Sequence, residues 1–337
     1  MATPLLYTCG IAPRVGRIPL AAYPYLGWRQ RLSTTRNWHA QEVFNRTHKR
    51  QQKDRAAQRV ENSRHTDYLR NAIAEQLVDR LRDIRRRFPT IVELGAHSGF
   101  LRRHLDPGMT DKVIQCDLSE AMVQRDRDRP TTHEATGEPS PVPAEYQVVD
   151  EEALPFAENS LEAVVSNLSL HWVNDLPGAL IQIQRALVPD GMFLGAMLGG
   201  DTLFELRTSL QLAEVERENG ISPRVSPMTD PRDMTDLLQR AGFALTTVDV
   251  DDLTVDYPTP LALMQDLRAM GESNATLLRD TLLAASSIYK ELYGTEEGHI
   301  PATFQIIFMI GWKPDSSQPQ PKARGSATVS LKDVLKS

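Results

Sequence analysis

The residues best placed for chemistry lie between Phe88 and Glu120, in the stretch FPTIVELGAHSGFLRRHLDPGMTDKVIQCDLSE. A short apolar run, Thr90 to Leu94, carries Glu93 and enters a turn with Gly95 and Gly99. A second apolar run, Lys112 to Cys116, ends on Asp117. A nucleotide site in a parallel sheet needs this order. Small residues let the backbone approach a ligand, and a carboxylate after the next strand can take both ribose hydroxyls. Gly95 and Gly99 do not fit G-x-G-x-x-G, which argues against a dinucleotide.

The next two strand ends carry more polar groups. Asp150, Glu151 and Glu152 follow a third run, where a carboxylate can accept from an adenine amino group; acids that start a helix or face solvent would read the same way. Asn167, Ser169, His171 and Trp172 follow a fourth and would face the same crevice. A lone histidine is more often structural than catalytic, so His171 is a candidate only through its place at a strand end. Metal ligation has weak support. His65-Thr66-Asp67 has the local spacing of a two-histidine, one-carboxylate site but lies in a polar segment, and His97 with His104 could share a helix face. No cysteine pair, H-E-x-x-H, EF-hand loop or G-x-S-x-G elbow occurs, and no metal site is assigned.

These groups must be positioned by alternating strands and helices. Strands are expected at Ile91–Leu94, Val113–Cys116, Tyr146–Val149, Leu161–Ser166 and Met192–Met197, with Phe100–Leu105, Glu120–Arg127 and Leu176–Leu187 as helices between them. Such a pattern predicts a doubly wound, mostly parallel sheet with helices on both faces. Leu203, Leu206, Leu210 and Ala213 mark a further helix, and Met234–Ala241 another that stops at Gly242. Thr246–Val255 and Thr303–Trp312 read as two late strands, making seven. Between them Pro260–Tyr293 reads as a helical insertion broken near Gly271 and Asn274. Upstream, residues 41–87 form a charged, helix-prone connector in which Leu69, Ile73, Leu77 and Leu81 recur every fourth residue, a stripe fit to cap a sheet. Residues 88–313 then form the main domain, and 314–337 a polar tail.

Composition narrows the class. The 337 residues are 41% hydrophobic and 24% charged with a net charge of −6, which speaks against nucleic acid as the main partner. Two cysteines, Cys9 and Cys116, cannot make a disulfide framework, and a reducing compartment fits. The first forty-one residues hold no Asp or Glu, but they carry Arg14, Arg17, Arg29, Arg31 and Arg36 together with Ser33, Thr34 and Thr35. An acid-free, arginine-bearing, hydroxylated leader is the composition of a mitochondrial transit peptide, assigned here to residues 1–40.

The run Asp150 to Gly191, DEEALPFAENSLEAVVSNLSLHWVNDLPGALIQIQRALVPDG, resembles the second half of a class I S-adenosylmethionine-dependent methyltransferase of the biotin-synthesis type. Three further blocks resemble one group within that superfamily: GGDTLFELRTSLQLAEVERENGISPRVS from Gly199, MGESNA from Met270, and RGSATVS from Arg324. That group is the mitochondrial complex I assembly factors that hydroxylate an arginine of a core subunit. The likeness spans roughly Asn45 to Ser330.

The resemblance implies a class I, Rossmann-like α/β fold and S-adenosylmethionine as cofactor. Glu93, Gly95 and Gly99 match the turn that holds its methionyl end, Asp117 the ribose carboxylate, Asp150 the acid beside adenine with Glu151 close by, and Asn167 the substrate-side position. The family has glycine where this chain has His97, whose side chain is expected to crowd the ligand. The implied partners are the core iron–sulfur subunit near the quinone site and early assembly intermediates, met in the matrix at the inner-membrane face. A protein or small-molecule methyltransferase, or a non-catalytic assembly chaperone, are the rival readings. Asn167 and His171 are candidates for catalysis. Asp201 and Glu205, on the helix after the fifth strand, join them as a carboxylate pair placed to receive an arginine guanidinium.

Overall fold

The structure is a computed structural model and describes residues 43–127, 131–133, 136–138, 140, 142–222, 225–273, 279–320 and 325–326. Residues 1–40 (where a transit peptide is expected), Cys9, Asn274, Ala275 and most of the RGSATVS block lie outside the described residues. Charged, β-branch-poor sequence forms the first helices, α1 (Arg46–Gln58), α2 (Val60–His65) and α3 (Tyr68–Arg82). Asn45 caps α1 by accepting from the His48 backbone N–H at 2.8 Å. The leucine stripe of α3 behaves as its spacing predicts: Leu69, Ile73, Leu77 and Leu81 are all buried, in one cluster with Phe88 and Ile91. Burial of each is worth roughly 1.5–3 kcal/mol, so this face clamps the connector to the sheet.

Seven strands follow: β1 (Phe88–Leu94), β2 (Thr110–Asp117), β3 (Ala144–Val148), β4 (Leu161–Asn167), β5 (Leu187–Leu198), β6 (Ala244–Tyr257) and β7 (Ile300–Trp312). They lie in the order β3-β2-β1-β4-β5-β7-β6. The first five are parallel to their neighbours, and β7 is antiparallel to both β5 and β6. Strand order reverses between β1 and β4, which places a ligand crevice outside the carboxyl ends of the strands.

Both faces are covered. α5 (Leu176–Ala186) and α7 (Pro231–Arg240) bury Leu180, Ile183, Met234 and Leu238 against Val164, Phe193 and Met309. On the α3 face lie α6 (Phe204–Glu218), α8 (Pro260–Ala269) and α9 (Arg279–Tyr293), the last two forming the insertion before β7. The short α4 (Glu120–Gln124) follows β2. Two expected helices are smaller than the sequence suggests. α4 ends at Gln124 rather than Arg127. Phe100–Leu105 makes only a 3₁₀ turn, Leu101–Arg103, because Pro107 and Gly108 leave no length for α-helical bonds. No helix among the described residues is long and apolar enough to cross a membrane.

Candidate functional site

The site is built around Asp117, the last residue of β2, which is fully buried. Its Oδ2 accepts from the His97 backbone N–H at 3.1 Å and its Oδ1 from the Ser119 N–H at 2.8 Å. The Lys53 ammonium reaches both oxygens, at 3.1 and 2.9 Å. Two carboxylate oxygens offer about four lone-pair sites, so the protein itself fills them.

The turn after β1 shows why it needs glycine. Gly95 has φ +71°, and a Cβ there would lie 2.0 Å from the Ser169 Cβ. The close approach that Gly95 permits is therefore to the chain's own Ser169, whose hydroxyl donates to Glu151. Gly99, at φ +83°, faces the side chain of Gln115 instead. His97 adopts φ +50°, the left-handed region where the family's glycine is at ease. Its imidazole is buried, and burial pushes its pKa well below the ordinary histidine value, with Arg70 and Lys53 adding to the effect.

The acids after β3 are also occupied. Glu151 is buried and accepts from Arg46 as well as from Ser169. Asp150 accepts from the same guanidinium at 2.7 Å, and that guanidinium also donates to the Trp172 carbonyl at 3.2 Å. Arg46, Lys49 and Lys53 stand at i, i+3 and i+7, one face of α1. Each meets a different acid: Arg46 meets Asp150 and Glu151, Lys53 meets Asp117, and Lys49 meets Glu272 at 3.4 Å.

Glu93 sits one strand over, fully buried, with its Oε2 accepting from Gln115 at 3.0 Å. Burial pushes its pKa up from 4.5 to about 8, so the group is a neutral acid at pH 7. Its folded value lies above its unfolded one. The stability it contributes is therefore complete below pH 4.5 and is lost as pH rises through about 8. Glu93→Gln abolishes that loss. Denaturation of the variant should show a stability gain over the wild type that grows across this window, and a constant difference would exclude a buried neutral acid.

The four catalytic candidates separate. Asn167, the last residue of β4, is buried; its Nδ2 donates to the Arg70 carbonyl at 3.2 Å. His171, in a 3₁₀ turn with Leu170 and Trp172, approaches Glu272 at 3.5 Å. Asp201 lies in the turn before α6 and Glu205 in its first turn, and each has a partner on β7. Glu205 is buried and accepts from the Thr303 hydroxyl on β7, and Asp201 accepts from Gln305 at 3.3 Å. Glu205 reads as part of a charged face in sequence, yet it serves as an anchor between α6 and β7.

Asp201 and Glu205 both lie outside the wall of a cavity of about 810 Å³, whose lining includes Leu168, Leu206, Met264 and Phe304. Its polar lining includes Arg70, His171, Trp172 and Glu272 at one place, with Gln52, Arg55, Arg59 and Arg268 elsewhere on the wall. Glu272 and the cations that face it had no place among the sequence-derived candidates. The signals were present: three cations at helical spacing in α1, and an acid directly after Gly271 in the MGESNA block. His65 and Asp67 do not make a metal pair, because Asp67 is held by Arg125 at 3.0 Å. Among the described residues no group of three or more His, Cys, Asp or Glu side chains is arranged to hold a metal ion.

Comparison with known proteins fits this architecture. Residues 92–195 match a methyltransferase domain family. The chain is 48% identical over 300 residues to the mitochondrial arginine-hydroxylase NDUFAF5 of Danio rerio, covering 87% of this chain and 90% of that protein. It is 47% identical to the Homo sapiens protein of the same name, covering 87% and 84%. A malonyl-[acyl-carrier protein] O-methyltransferase of Halorhodospira halophila is 32% identical, covering 72% and 81%. Among solved structures, the YcgJ protein of Bacillus subtilis superposes with a TM-score of 0.50 at 16% identity, covering 71% and 98%, which is a likeness of fold.

Proposed function

The chain belongs to the family of mitochondrial arginine hydroxylases that carry a methyltransferase fold, and from that premise we propose that it hydroxylates an arginine of the core iron–sulfur subunit during assembly of respiratory complex I. The observation that carries this reading is identity of 47–48% along nearly the whole of proteins named for that activity. Its setting is the mitochondrial matrix, at the inner-membrane face where the early assembly intermediates form, reached by way of the transit peptide in residues 1–40. The reaction replaces one C–H of the arginine side chain by C–OH. One atom of dioxygen enters the product, the other leaves as water, and a two-electron reductant balances the step. The part of this chain is to bind and orient the arginine at the carboxyl edge of the sheet.

S-adenosylmethionine is the ligand the fold implies, with Glu93, Gly95, Gly99, Asp117, Asp150, Glu151 and Asn167 at the positions that would hold it. The two ends of this set differ. The buried Oδ1 of Asn167 has no hydrogen-bond partner among the described residues, which suits a polar methionyl group. Asp117 and Glu151 have their acceptors filled by Lys53, Arg46 and Ser169. The ribose end therefore does not fit while α1 stays in this position, and the obstruction comes from α1 rather than from the His97 side chain alone.

Methyl transfer is the competing chemistry for this fold. Incubating the protein and the core subunit with methyl-labelled S-adenosylmethionine should leave the subunit unlabelled. Stoichiometric label on it would replace hydroxylation with methylation.

A further inference from the structure

We propose that Glu272, Trp172 and His171 form the recognition cage for the substrate guanidinium, and that the Lys49 ammonium now occupies it as an internal stand-in. The inference rests on the arginine-hydroxylase reading for the identity of its guest, but its geometry is independent of that reading.

Local sequence explains the placement of the carboxylate. α8 ends at Met270 in a paired turn: the Gly271 N–H donates to the Arg268 carbonyl at 3.2 Å and the Glu272 N–H to the Leu267 carbonyl at 2.8 Å. This helix ending needs a left-handed residue, and Gly271 supplies it at φ +78°. The backbone of Glu272 is thus fixed, and its side chain is directed onto the turn after β4. There it accepts from the Trp172 indole N–H and from Arg70, with His171 Nε2 at 3.5 Å.

Trp172 and Glu272, with the Gly271 carbonyl, enclose a cation, and His171 touches the same carboxylate. Lys49 Nζ lies 3.1 Å from the centroid of the Trp172 ring, 3.4 Å from Glu272 and 2.7 Å from the Gly271 carbonyl. A carboxylate, a carbonyl and an aromatic face are what a desolvated cation requires. Burial acts against the Glu272 charge, yet Lys49, His171 and Arg70 hold its pKa well below the usual carboxylate range. The lysine is the weaker tenant: burial lowers its own pKa to about 7, whereas a guanidinium keeps its charge and its planar fork.

The cage also opens where a substrate side chain can come in. Trp172, His171 and Glu272 line the mixed cavity together with an apolar wall of Leu206, Met264 and Phe304. That wall suits the aliphatic stem of an arginine and its apolar neighbours, with the charged head against Glu272. A carboxylate just past the end of α8 thus lines this cavity, whereas Asp201 and Glu205 do not.

Binding of acetyl-arginine amide to the full chain, read by calorimetry and by the Trp172 indole N–H resonance, tests the cage. Lys49→Met removes the stand-in and should raise affinity for the probe by about tenfold or more. Acetyl-citrulline amide, which has nearly the same shape without the charge, should gain nothing. Adding Trp172→Leu to Lys49→Met should cancel the gain, and Glu272→Gln should do the same. If Glu272→Gln fails to fold, the Trp172→Leu pair decides alone, since Trp172→Leu changes no charge relative to Lys49→Met. Equal affinity in the wild type and Lys49→Met, or a gain that survives loss of Trp172, overturns the assignment. The readout is binding, so failure here removes the cage, whereas only an assay of arginine modification can remove the hydroxylase reading.

Discussion

Asp117→Ala should cost about 3–5 kcal/mol of folding stability, because it leaves the Lys53 ammonium buried without a counter-charge. The two side chains are 0% and 5% exposed, and the ion pair spans 2.9 Å. The loss has a second part, since the His97 and Ser119 backbone N–H groups also donate to Asp117 and would be left unpaired. Pairing the substitution with Lys53→Met should recover most of the stability, because a buried ion pair replaced by apolar groups is often neutral. Urea denaturation of the single and double variants separates the contributions. A single variant within about 1 kcal/mol of the wild type would mean that Lys53 leaves the crevice easily.

Gly95→Ala should be nearly as damaging, at about 2–5 kcal/mol: left-handed backbone costs roughly 1–2 kcal/mol without glycine, and overpacking adds roughly 1–3. The new methyl would lie 2.0 Å from the Ser169 Cβ and 3.4 Å from its Cα, so the whole residue must retreat. Ser169 holds Glu151, and Glu151 holds Arg46, so the shift should also loosen α1. Gly99→Ala is the control. It is strained at φ +83° as well, but meets only the side-chain amide of Gln115, which can turn aside. Thermal unfolding should place Gly95→Ala clearly below Gly99→Ala; the reverse order would show that the Ser169 contact is slack.

Much of the fold is legible in the sequence, for a physical reason. Short apolar runs such as Val113–Cys116, bounded by turn residues, fit strands buried on both faces, and the spacing of Leu69, Ile73, Leu77 and Leu81 in a helix-prone segment fits a helix with one dry side. Asp117 and Glu151 were also recoverable, because strand ends in such a sheet share one edge. What local pattern does not carry is the identity of partners. Lys53 and Asp117 are 64 positions apart, and Arg46 and Glu151 are 105 apart, so a cationic helix face reads as solvated until the fold brings it onto acids. Glu205 misleads in the same way, since only β7 reveals that Thr303 lies opposite. Glu272 lies within the MGESNA block, but its placement depends on the backbone turn made possible by Gly271 rather than on composition.

Peptide mass analysis of the core iron–sulfur subunit, taken from mitochondria with and without this chain, tests the central claim most directly. The account predicts one arginine heavier by a single oxygen atom when the chain is present, and unmodified when it is absent. A methyl group in place of that oxygen, or an arginine identical in both samples, would contradict it.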